Sequence, residues 1–429
     1  MDRLKIAIAG VGTVGNGVLT LLKKNKKKIE KKIGKQIIIS GIASRKKIEY
    51  KRFKNTKIFS DADELRNFKD YDVLFELIGG SDGVAKEIVV DALKKKKHVI
   101  TANKALISKH GNYIFKIAES KNVTVGYEAS VAGGIPIITI LDNFLISNSI
   151  RKIIGIFNGT SNYILSKMLE TKKDFNTILN EAKSYGYAES DPTFDINGMD
   201  TAHKLSIISS LAFNNLIDIK KVYVSGIEKI KYEDLKFANE LGYKIKLIGI
   251  TKIIKSKIIQ FVYPALLKKN SLLGNVDNVF NGILVETDSS KKLFFQGEGA
   301  GALPTATSVL ADLERICKPN YNSSNNEKLN KILKNNHYDI LERNGSYYLR
   351  IKTFDETGVI ADISKLLKKY DISIKSLYQK DHESKSNKEV DIIITTHNCA
   401  EININKVIQL INDLESTKEK VVTYRIETI

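Results

Sequence analysis

The 429-residue sequence predicts an α/β protein of three modules: an N-terminal doubly wound parallel sheet, an α+β middle domain and a C-terminal ferredoxin-like βαββαβ unit. Three observations predict this architecture. Short apolar runs alternate with amphipathic stretches up to about residue 130, and the order of elements then becomes mixed up to residue 302. Residues 345–429 follow the split βαβ order. A chain of this length also exceeds what one hydrophobic core usually organises.

Composition argues against nucleic-acid-binding, disulfide-rich, zinc-binding and membrane proteins. The formal net charge is +19, but the lysines fall in scattered runs such as KKNKKKIEKKIGK, which indicates solvated helix faces rather than a nucleic-acid groove. Cys317 and Cys399 are far apart and predict neither a disulfide framework nor a zinc site. No apolar run approaches the roughly 20 residues of a membrane span, and the N-terminus enters a strand at once. We therefore expect a cytoplasmic protein with no nucleic-acid or membrane partner.

The N-terminal module begins with IAGVGTVGNGV, in which Gly10, Gly12 and Gly15 form G-x-G-x-x-G between a strand and a helix. The first glycine permits a tight turn, the second lets the backbone approach a pyrophosphate, and the third allows close packing of helix on strand. The helix N-terminus adds an anion site. Residues 1–130 are therefore predicted to be a Rossmann-type domain that binds a nicotinamide dinucleotide.

The ends of the next strands carry the other cofactor signals. The second strand ends in ASRKK, where Arg45, Lys46 and Lys47 favour a 2′-phosphate and hence NADP(H) over NAD(H). The alternative is that any loop of so lysine-rich a chain would be basic. LIGG, which includes Gly79, and TANKAL follow the third and fourth strands, so these segments should face the nicotinamide. Lys104 stands at a strand end and not in a surface lysine run, which indicates a functional role.

The middle domain, residues 131–302, is expected to open with a helix over PIITILDNFLI, and its chemistry is concentrated in YAESDPTFDINGMDTAHKL. Glu189 lies in an acidic loop, and Asp200 and Lys204 lie four residues apart on one face of a helix, where they can pair. The apolar continuation LSIISSLAF indicates a mostly buried helix, which favours a general acid over a surface ion pair. His203 is expected to orient or pack.

The remaining segments complete the three modules. The glycine-rich turn GEGAGALP leads into a helix over residues 303–318, which we expect to return to the first domain. Residues 319–344 are polar and rich in asparagine, as is typical of a linker. Residues 345–429 form the βαββαβ unit, with DETG at its first strand-to-helix turn.

Seven motifs occur in order over residues 1–320 and resemble homoserine dehydrogenase: GVGTVG, ELIGG, TANKAL, YEASVAGGIPI, FNGTSNYIL, YGYAESDPTFDINGMDTAHKL and GEGAGALPTATSVLAD. The C-terminal unit resembles an ACT regulatory domain, as in the monofunctional type of this family. The resemblance implies NAD(P)-dependent interconversion of L-aspartate 4-semialdehyde and L-homoserine, on the route to threonine, methionine and isoleucine. It also implies a homodimer or homotetramer built through the middle domain, and threonine is the expected effector.

The resemblance also implies residue roles. Lys204 would donate the proton, Asp200 would orient Lys204 and hold the amino acid together with Glu189, and Lys104 would lie between cofactor and substrate. The residues implied at the cofactor are Gly10, Gly12, Thr13, Val14, Gly15, Arg45, Gly79, Lys104 and Gly301. A monovalent cation, sodium by the preference of hard oxygen ligands, would be bound by Glu128, Val131, Gly133 and Ile135.

Two alternatives differ from this interpretation in mechanism or class. Aspartate-semialdehyde dehydrogenase shares the cofactor fold, but its chemistry needs a thiolate nucleophile, and neither Cys317 nor Cys399 is placed for that role. A regulatory protein that senses cofactor without catalysis is the other alternative. The pairing of Asp200 with Lys204 argues against it.

Overall fold

The computed structural model describes residues 2–45, 55–318, 337–381 and 389–429. The N-terminal domain contains strands β1 (Asp2–Ala9), β2 (Lys35–Ala43), β3 (Lys57–Phe59), β4 (Val73–Glu76), β5 (His98–Thr101) and β6 (Val125–Gly126), with helices α1 (Thr13–Ile33), α2 (Val84–Lys94) and α3 (Lys104–Ser120). All six strands are parallel and lie in the order β3-β2-β1-β4-β5-β6. The strand order reverses direction between β1 and β4, which creates the crevice that binds ligands in such sheets.

The middle domain is a mixed set of helices and strands. Its helices are α4 (Ile137–Thr139), α5 (Gly159–Thr171), α6 (Phe175–Ser184), α7 (Thr193–Ile196), α8 (Met199–Phe213), α9 (Tyr232–Glu240) and α10 (Ala302–Ile316), and its strands are β7 (Ile150–Ile156), β8 (Tyr223–Val224), β9 (Tyr243–Ile254), β10 (Lys257–Lys268), β11 (Phe280–Thr287) and β12 (Lys292–Glu298). The long strands pair antiparallel in the order β12-β11-β7-β9-β10. Helix α8 packs against β9 and β10, where the hydroxyl groups of Ser209 and Thr251 are 2.9 Å apart.

Helix α10 returns to the N-terminal domain. Ala306, Val309 and Leu313 are fully buried and share one core with strand residues such as Ile6 and Ile42. The helix therefore completes one side of the parallel sheet after the chain has built the middle domain.

The expected helix over residues 136–146 is shorter than its apolar pattern suggested. Only α4 is α-helical, and a wider π-helical turn continues it over Ile140–Phe144. The wider turn brings the Asp142 carboxylate to 3.7 Å from the Arg315 guanidinium of α10. A long-range ion pair therefore accompanies this local departure from a regular helix.

The C-terminal domain has the predicted βαββαβ order. Its elements are β13 (Asn344–Phe354), α11 (Val359–Lys369), β14 (Ile374–Asp381), β15 (Glu389–Thr396), the short β16 (Cys399–Ala400), α12 (Glu401–Asn412) and β17 (Val422–Glu427). The four long strands lie antiparallel in the order β17-β13-β15-β14. Both helices cover one face of this sheet, and Ile363, Val407 and Ile411 are buried against Leu349 and Ile394.

The middle and C-terminal domains share one continuous sheet, which the sequence did not predict. Strand β17 pairs in parallel with β10, from Ala265 opposite Arg425 to Leu267 opposite Glu427. The end of the expected linker also contacts β10, since the Tyr338 amide donates to the Ile258 carbonyl at 3.0 Å. Residues 319–336 of that linker lie outside the described residues.

Within residues 2–45, 55–318, 337–381 and 389–429, no helix is both long and apolar enough to cross a membrane.

Candidate active site

The glycine loop between β1 and α1 requires glycine at two positions. Gly10 has a φ of +98°, and a Cβ atom there would lie 2.7 Å from the Leu77 carbonyl oxygen. A Cβ atom on Gly15 would lie 2.2 Å from the Gly10 carbonyl oxygen. The loop is thereby held against the end of β4, with Thr13 exposed and Val14 half-buried at the start of α1.

The N-terminus of α10 packs against the second turn of α1, close to this loop. A Cβ atom on Gly17 of α1 would lie 2.2 Å from the carbonyl oxygen of Ala302, the first residue of α10. Gly12 and Gly301 are the N-caps of α1 and α10, so neither helix start has a capping side chain. Their N–H groups and dipoles suit a phosphate group. Gly79 lies nearby in open space, with no atom within 4 Å of where its Cβ would be.

Of the basic residues after β2, the structure describes only the first. Arg45 is exposed just beyond the end of that strand. Lys46 and Lys47 lie outside the described residues.

Lys104 is the first residue of α3, and a buried hydrogen-bond network holds it in place. The Asn103 side chain caps α3 by accepting from the Leu106 amide at 3.0 Å, and its amide nitrogen donates to the Gly80 carbonyl at 2.6 Å. Glu76, the last residue of β4, has no exposed surface and accepts hydrogen bonds from the Thr101 hydroxyl, the Ile78 amide and the Asn103 side chain. Burial raises the pKa of Glu76 to about 7.

Three charged side chains meet at the start of α8. Lys204 Nζ lies 2.7 Å from Asp200 Oδ2, and Lys104 Nζ lies 2.8 Å from Asp200 Oδ1. The Asp200 side chain is 2% exposed and that of Lys204 is 9% exposed, whereas 36% of the Lys104 side chain is exposed. One buried carboxylate therefore carries two ammonium groups, one from each of the first two domains.

The pKa values of this cluster follow from burial and charge. Burial raises the pKa of Asp200, but the ammonium groups of Lys104 and Lys204 outweigh it and hold that pKa well below its usual value. Attraction to Asp200 raises the pKa of Lys104. Burial lowers the pKa of Lys204 despite the opposing effect of Asp200. Of the two lysines, Lys204 is thus the one that releases a proton more readily.

The strand–helix junction after β7 supplies partners that sequence reasoning missed. The Phe157 carbonyl accepts from Lys204 Nζ at 2.7 Å, and the Asn158 side chain donates to both Asp200 and Asp195 at 2.8 Å. Asn158 also caps α5 by accepting from the Ser161 amide. An asparagine between a strand and a helix could have signalled the cap, but nothing in the sequence marks a backbone carbonyl.

Glu189 does not contact the lysine–aspartate cluster directly. It is exposed in the loop between α6 and α7, and its charge contributes only a minor part of the raised pKa of Lys104. Asp195 lies closer, and burial and the charge of Asp200 raise its pKa.

The family resemblance implies a cation site at the turn over residues 128–135. Polar groups of this turn already accept hydrogen bonds from other parts of the protein. The Glu128 carboxylate accepts from the amides of Ile138 and Thr139 at 2.8 Å each and lies 3.5 Å from the Arg315 guanidinium. The Gly133 carbonyl accepts from the Ser308 hydroxyl at 2.6 Å. Over the part of the chain that the structure describes, no group of three or more His, Cys, Asp or Glu side chains is arranged to hold a metal ion.

A dinucleotide-type sheet with an open glycine loop and a buried lysine–aspartate cluster defines the class: an NAD(P)-dependent oxidoreductase acting on a CH–OH group. Residues 10–128 match the NAD-binding domain of homoserine dehydrogenase, residues 136–313 match the homoserine dehydrogenase domain, and residues 347–416 match the ACT domain. The chain belongs to the homoserine dehydrogenase family.

Relatives agree over the full length of the chain. Homoserine dehydrogenase of Neisseria gonorrhoeae is 39% identical and covers 100% of both chains, and that of Bacillus subtilis is 35% identical and covers 100% of this chain and 99% of its own. The crystal structure of a homoserine dehydrogenase from Thiobacillus denitrificans has a TM-score of 0.93 at 38% identity, covering 100% of this chain and 99% of that one. A Staphylococcus aureus homoserine dehydrogenase structure has a TM-score of 0.76 at 32% identity, with both chains fully covered. The family and the three-part fold predicted from the sequence are confirmed.

Proposed function

We propose that this chain reduces L-aspartate 4-semialdehyde to L-homoserine in the biosynthesis of threonine, methionine and isoleucine, with Lys204 as the proton donor. The observation that carries the proposal is the buried pairing of Asp200 with both Lys104 and Lys204 beside the end of the parallel sheet. The burial of this pair next to the dinucleotide crevice argues against an ordinary surface ion pair.

The geometry of Lys204 supports its role as general acid. When bound, the dihydronicotinamide supplies a hydride to the aldehyde carbon. An ammonium group has three protons, and those of Lys204 that donate to Asp200 and the Phe157 carbonyl leave one for the substrate oxygen. Negative charge that develops on this oxygen is neutralised as Nζ gives up that proton. The lowered pKa of Lys204 favours the transfer.

The test is turnover of a Lys204→Ala variant. We expect kcat to fall by about 10²- to 10⁴-fold, the usual contribution of a positioned acid, with little change in NADPH affinity. Lys167→Ala, which removes a half-buried lysine paired with Glu170 on α5, is the matched control and should keep its turnover. Turnover like that of the wild type in Lys204→Ala would exclude the assignment.

Lys104 and Glu189 complete the proposed substrate site. Lys104 is held on Asp200 at the border of the two domains, where its partly exposed ammonium can reach both substrate and cofactor. Asp200 and the exposed Glu189 are the carboxylates that we assign to the substrate ammonium group. This arrangement would orient the aldehyde toward Lys204.

The cofactor is assigned to the crevice formed by Gly10, Gly12, Thr13, Val14, Gly15, Gly79, Lys104 and Gly301. NADP(H) is the preferred cofactor in this proposal, because Arg45 is exposed at the end of β2, where a 2′-phosphate would lie. Steady-state rates with NADH and NADPH, in the wild type and in Arg45→Ala, test this preference. The variant should lose affinity for NADPH and not for NADH.

A monovalent cation at the turn over residues 128–135 is assigned to backbone oxygen atoms. We propose that the carbonyl groups of Glu128, Val131, Gly133 and Ile135 bind sodium, since hydrogen bonds and Arg315 already occupy the Glu128 carboxylate. No step of the reaction is assigned to the cation. A sodium-23 NMR titration of Glu128→Gln should give the same affinity as the wild type, and loss of binding would place the carboxylate among the ligands.

Threonine feedback is proposed to act through the C-terminal domain. A cavity of about 150 Å³ lies at its first strand-to-helix turn and is lined by Asp355, Glu356, Gly358 and Gln379 among others. Its size and its mixed polar lining suit a small amino acid. Activity that does not change in millimolar threonine would remove threonine as the effector.

A homodimer or homotetramer in the cytoplasm is the proposed state of the enzyme. Phe144 and Ile146 of the middle domain are 66% and 84% exposed and lie two residues apart, and neighbouring exposed apolar side chains of this kind suit a contact with a partner subunit. Both cysteines are free, which suits a reducing compartment. Light scattering on the purified enzyme measures the subunit number directly.

The thiol-dependent alternative is not supported by the site. Cys317 lies at the C-terminal end of α10 and Cys399 is buried in the C-terminal domain. Burial raises the pKa of both thiols, whereas a nucleophilic cysteine needs a lowered one.

A further inference from the structure

We infer that His203 and Ser108 are positioning residues for Lys104: their contact fixes α3 of the N-terminal domain against α8 of the middle domain. The inference rests on the proposed roles of Lys104 and Lys204. It concerns a part of the domain interface to which neither the family resemblance nor the sequence motifs give a role beyond orientation or packing of His203.

One face of α3 carries three polar residues at intervals of four, and each contacts the middle domain. These contacts are Lys104 with Asp200 at 2.8 Å, Ser108 with His203 through a hydrogen bond between Oγ and Nδ1, and Asn112 with the backbone of Ile217 through two bonds of 2.9 and 3.1 Å. Residues four apart lie on one face of a helix, so the three contacts form one row along the interface. The pair of Lys104 with Asp200 lies at one end of this row, and Ser108 is the next residue of the row after Lys104.

His203 also contacts Phe194 of α7, which lies beside the Lys104 ammonium group. It follows Asp200 by three residues on α8 and directly precedes Lys204, and its ring packs on Phe194 at 5.1 Å between centroids. The Lys104 ammonium lies 5.7 Å from the same Phe194 ring. His203 thus supports Lys104 twice, through Ser108 on the same helix and through Phe194 beside the ammonium.

The exposure of Lys104 explains why it needs such support. A lysine side chain has four rotatable bonds, and 36% of this one is exposed, so Asp200 alone would leave its stem mobile. Ser108 is 3% exposed, so its bond to His203 is shielded from water. A fixed α3 keeps Lys104 on Asp200 Oδ1, while Lys204 of α8 pairs with Oδ2.

The experiment compares four single variants of the full-length enzyme: His203→Leu, His203→Asn, Ser108→Ala and Asn112→Ala. The Asn side chain places a polar atom near the position of Nδ1, whereas Leu fills the space without one. We expect His203→Leu and Ser108→Ala to lower kcat by about 10- to 100-fold, the size of effect that a small misplacement causes. The KM for NADP(H) should change less than about twofold, and His203→Asn should restore most of kcat.

Asn112→Ala is the matched control, because it removes another contact of the same row away from Lys104. It should lower the melting temperature without a comparable loss of kcat. If the variants at positions 108 and 203 have a lower melting temperature but an unchanged kcat, the contact is purely structural and the inference is wrong. Equal loss of kcat in His203→Leu and His203→Asn would likewise overturn the inference.

A double-mutant cycle separates the route of the effect. If His203 acts through Lys104, His203→Leu should have little further effect on kcat in a Lys104→Ala background. Multiplicative losses would overturn the inference even if each single variant is impaired. Failure of the wild type to turn over aspartate semialdehyde would instead refute the proposed function, so the two failures are distinguishable.

Discussion

The role proposed for Lys204 makes the two directions of the reaction respond differently to pH. In that role, reduction uses the protonated form of Lys204, whereas oxidation of homoserine needs the neutral amine to accept a proton. Burial lowers the pKa of Lys204, so the neutral form becomes available at a lower pH than for an ordinary lysine. We predict that kcat for homoserine oxidation rises between pH 6 and pH 10. A flat profile over this range would contradict the role of Lys204.

Glu76 makes the stability of the N-terminal domain depend on pH. Its pKa is raised to about 7 in the folded protein, so its protonated form favours folding. This contribution is complete below pH 4.5 and is lost as the pH rises through 7. The Gln side chain of Glu76→Gln cannot ionise. The free energy of unfolding of the variant minus that of the wild type should therefore increase by up to about 3 kcal/mol between pH 5 and pH 8.

Chemical denaturation at several pH values measures this difference. Asp312, whose pKa is also raised to about 7, remains in both proteins and cancels in the comparison. A difference between wild type and Glu76→Gln that does not vary with pH would show that Glu76 does not titrate in this range.

At the level of single residues, the sequence indicated side-chain pairs better than backbone partners. The spacing of Asp200 and Lys204 predicted their pairing, which the structure places at 2.7 Å. The Phe157 carbonyl that shares Lys204 was not predictable, because every residue has a carbonyl group and only the fold decides which one is used. The bond between Ser108 and His203 joins residues 95 positions apart, and no local pattern marks it.

Strand β13 contains a buried ion pair that joins the C-terminal domain to α9. Arg350 Nε lies 2.6 Å from Asp234 Oδ1, and the side chains are 5% and 0% exposed. Tyr424 of β17 donates to the other oxygen atom of Asp234 at 3.1 Å. Arg350→Leu would leave Asp234 buried without its cation, at a cost of about 3–5 kcal/mol in the free energy of unfolding.

Lys352, two residues further along the same strand, provides the control. It pairs with Glu389 and Glu419, and 25% of its side chain is exposed. Such pairs contribute about 0–1 kcal/mol, so Lys352→Leu should change stability little. Equal losses in both variants, measured by denaturation under one set of conditions, would show that burial of the Arg350 pair is not decisive.

Among the elements, periodic patterns predicted the order of strands and helices but not every junction between them. The βαββαβ order of the C-terminal domain was visible because its strands and helices each have a regular apolar repeat. The pairing of β17 with β10 covers only three residues on each strand and uses backbone atoms, so it leaves no such repeat. The π-helical turn after α4 escaped prediction because its apolar pattern resembles that of an ordinary helix.

At the scale of the molecule, the shared sheet makes the stability of the middle domain depend on the C-terminal domain. Removing residues 337–429 would expose the edge of β10 at Ala265–Leu267, which are buried in the intact chain. Unpaired strand edges promote aggregation. We predict that the truncated enzyme melts at least about 5 °C lower, a change of roughly 1–2 kcal/mol, and aggregates on size-exclusion chromatography. A monomeric or dimeric truncated enzyme of unchanged melting temperature would contradict this.

The pairing of β10 with β17 also means that the sheet of the middle domain cannot be completed until late in synthesis of the chain. Strand β10 ends at Lys268, but its partner β17 begins only at Val422 and is therefore synthesised much later. At about 5–20 residues per second, the intervening segment takes on the order of ten seconds or more to make. The nascent middle domain therefore has an open strand edge throughout that interval. Chains that terminate early would keep this edge, which makes them natural substrates for chaperones and proteases.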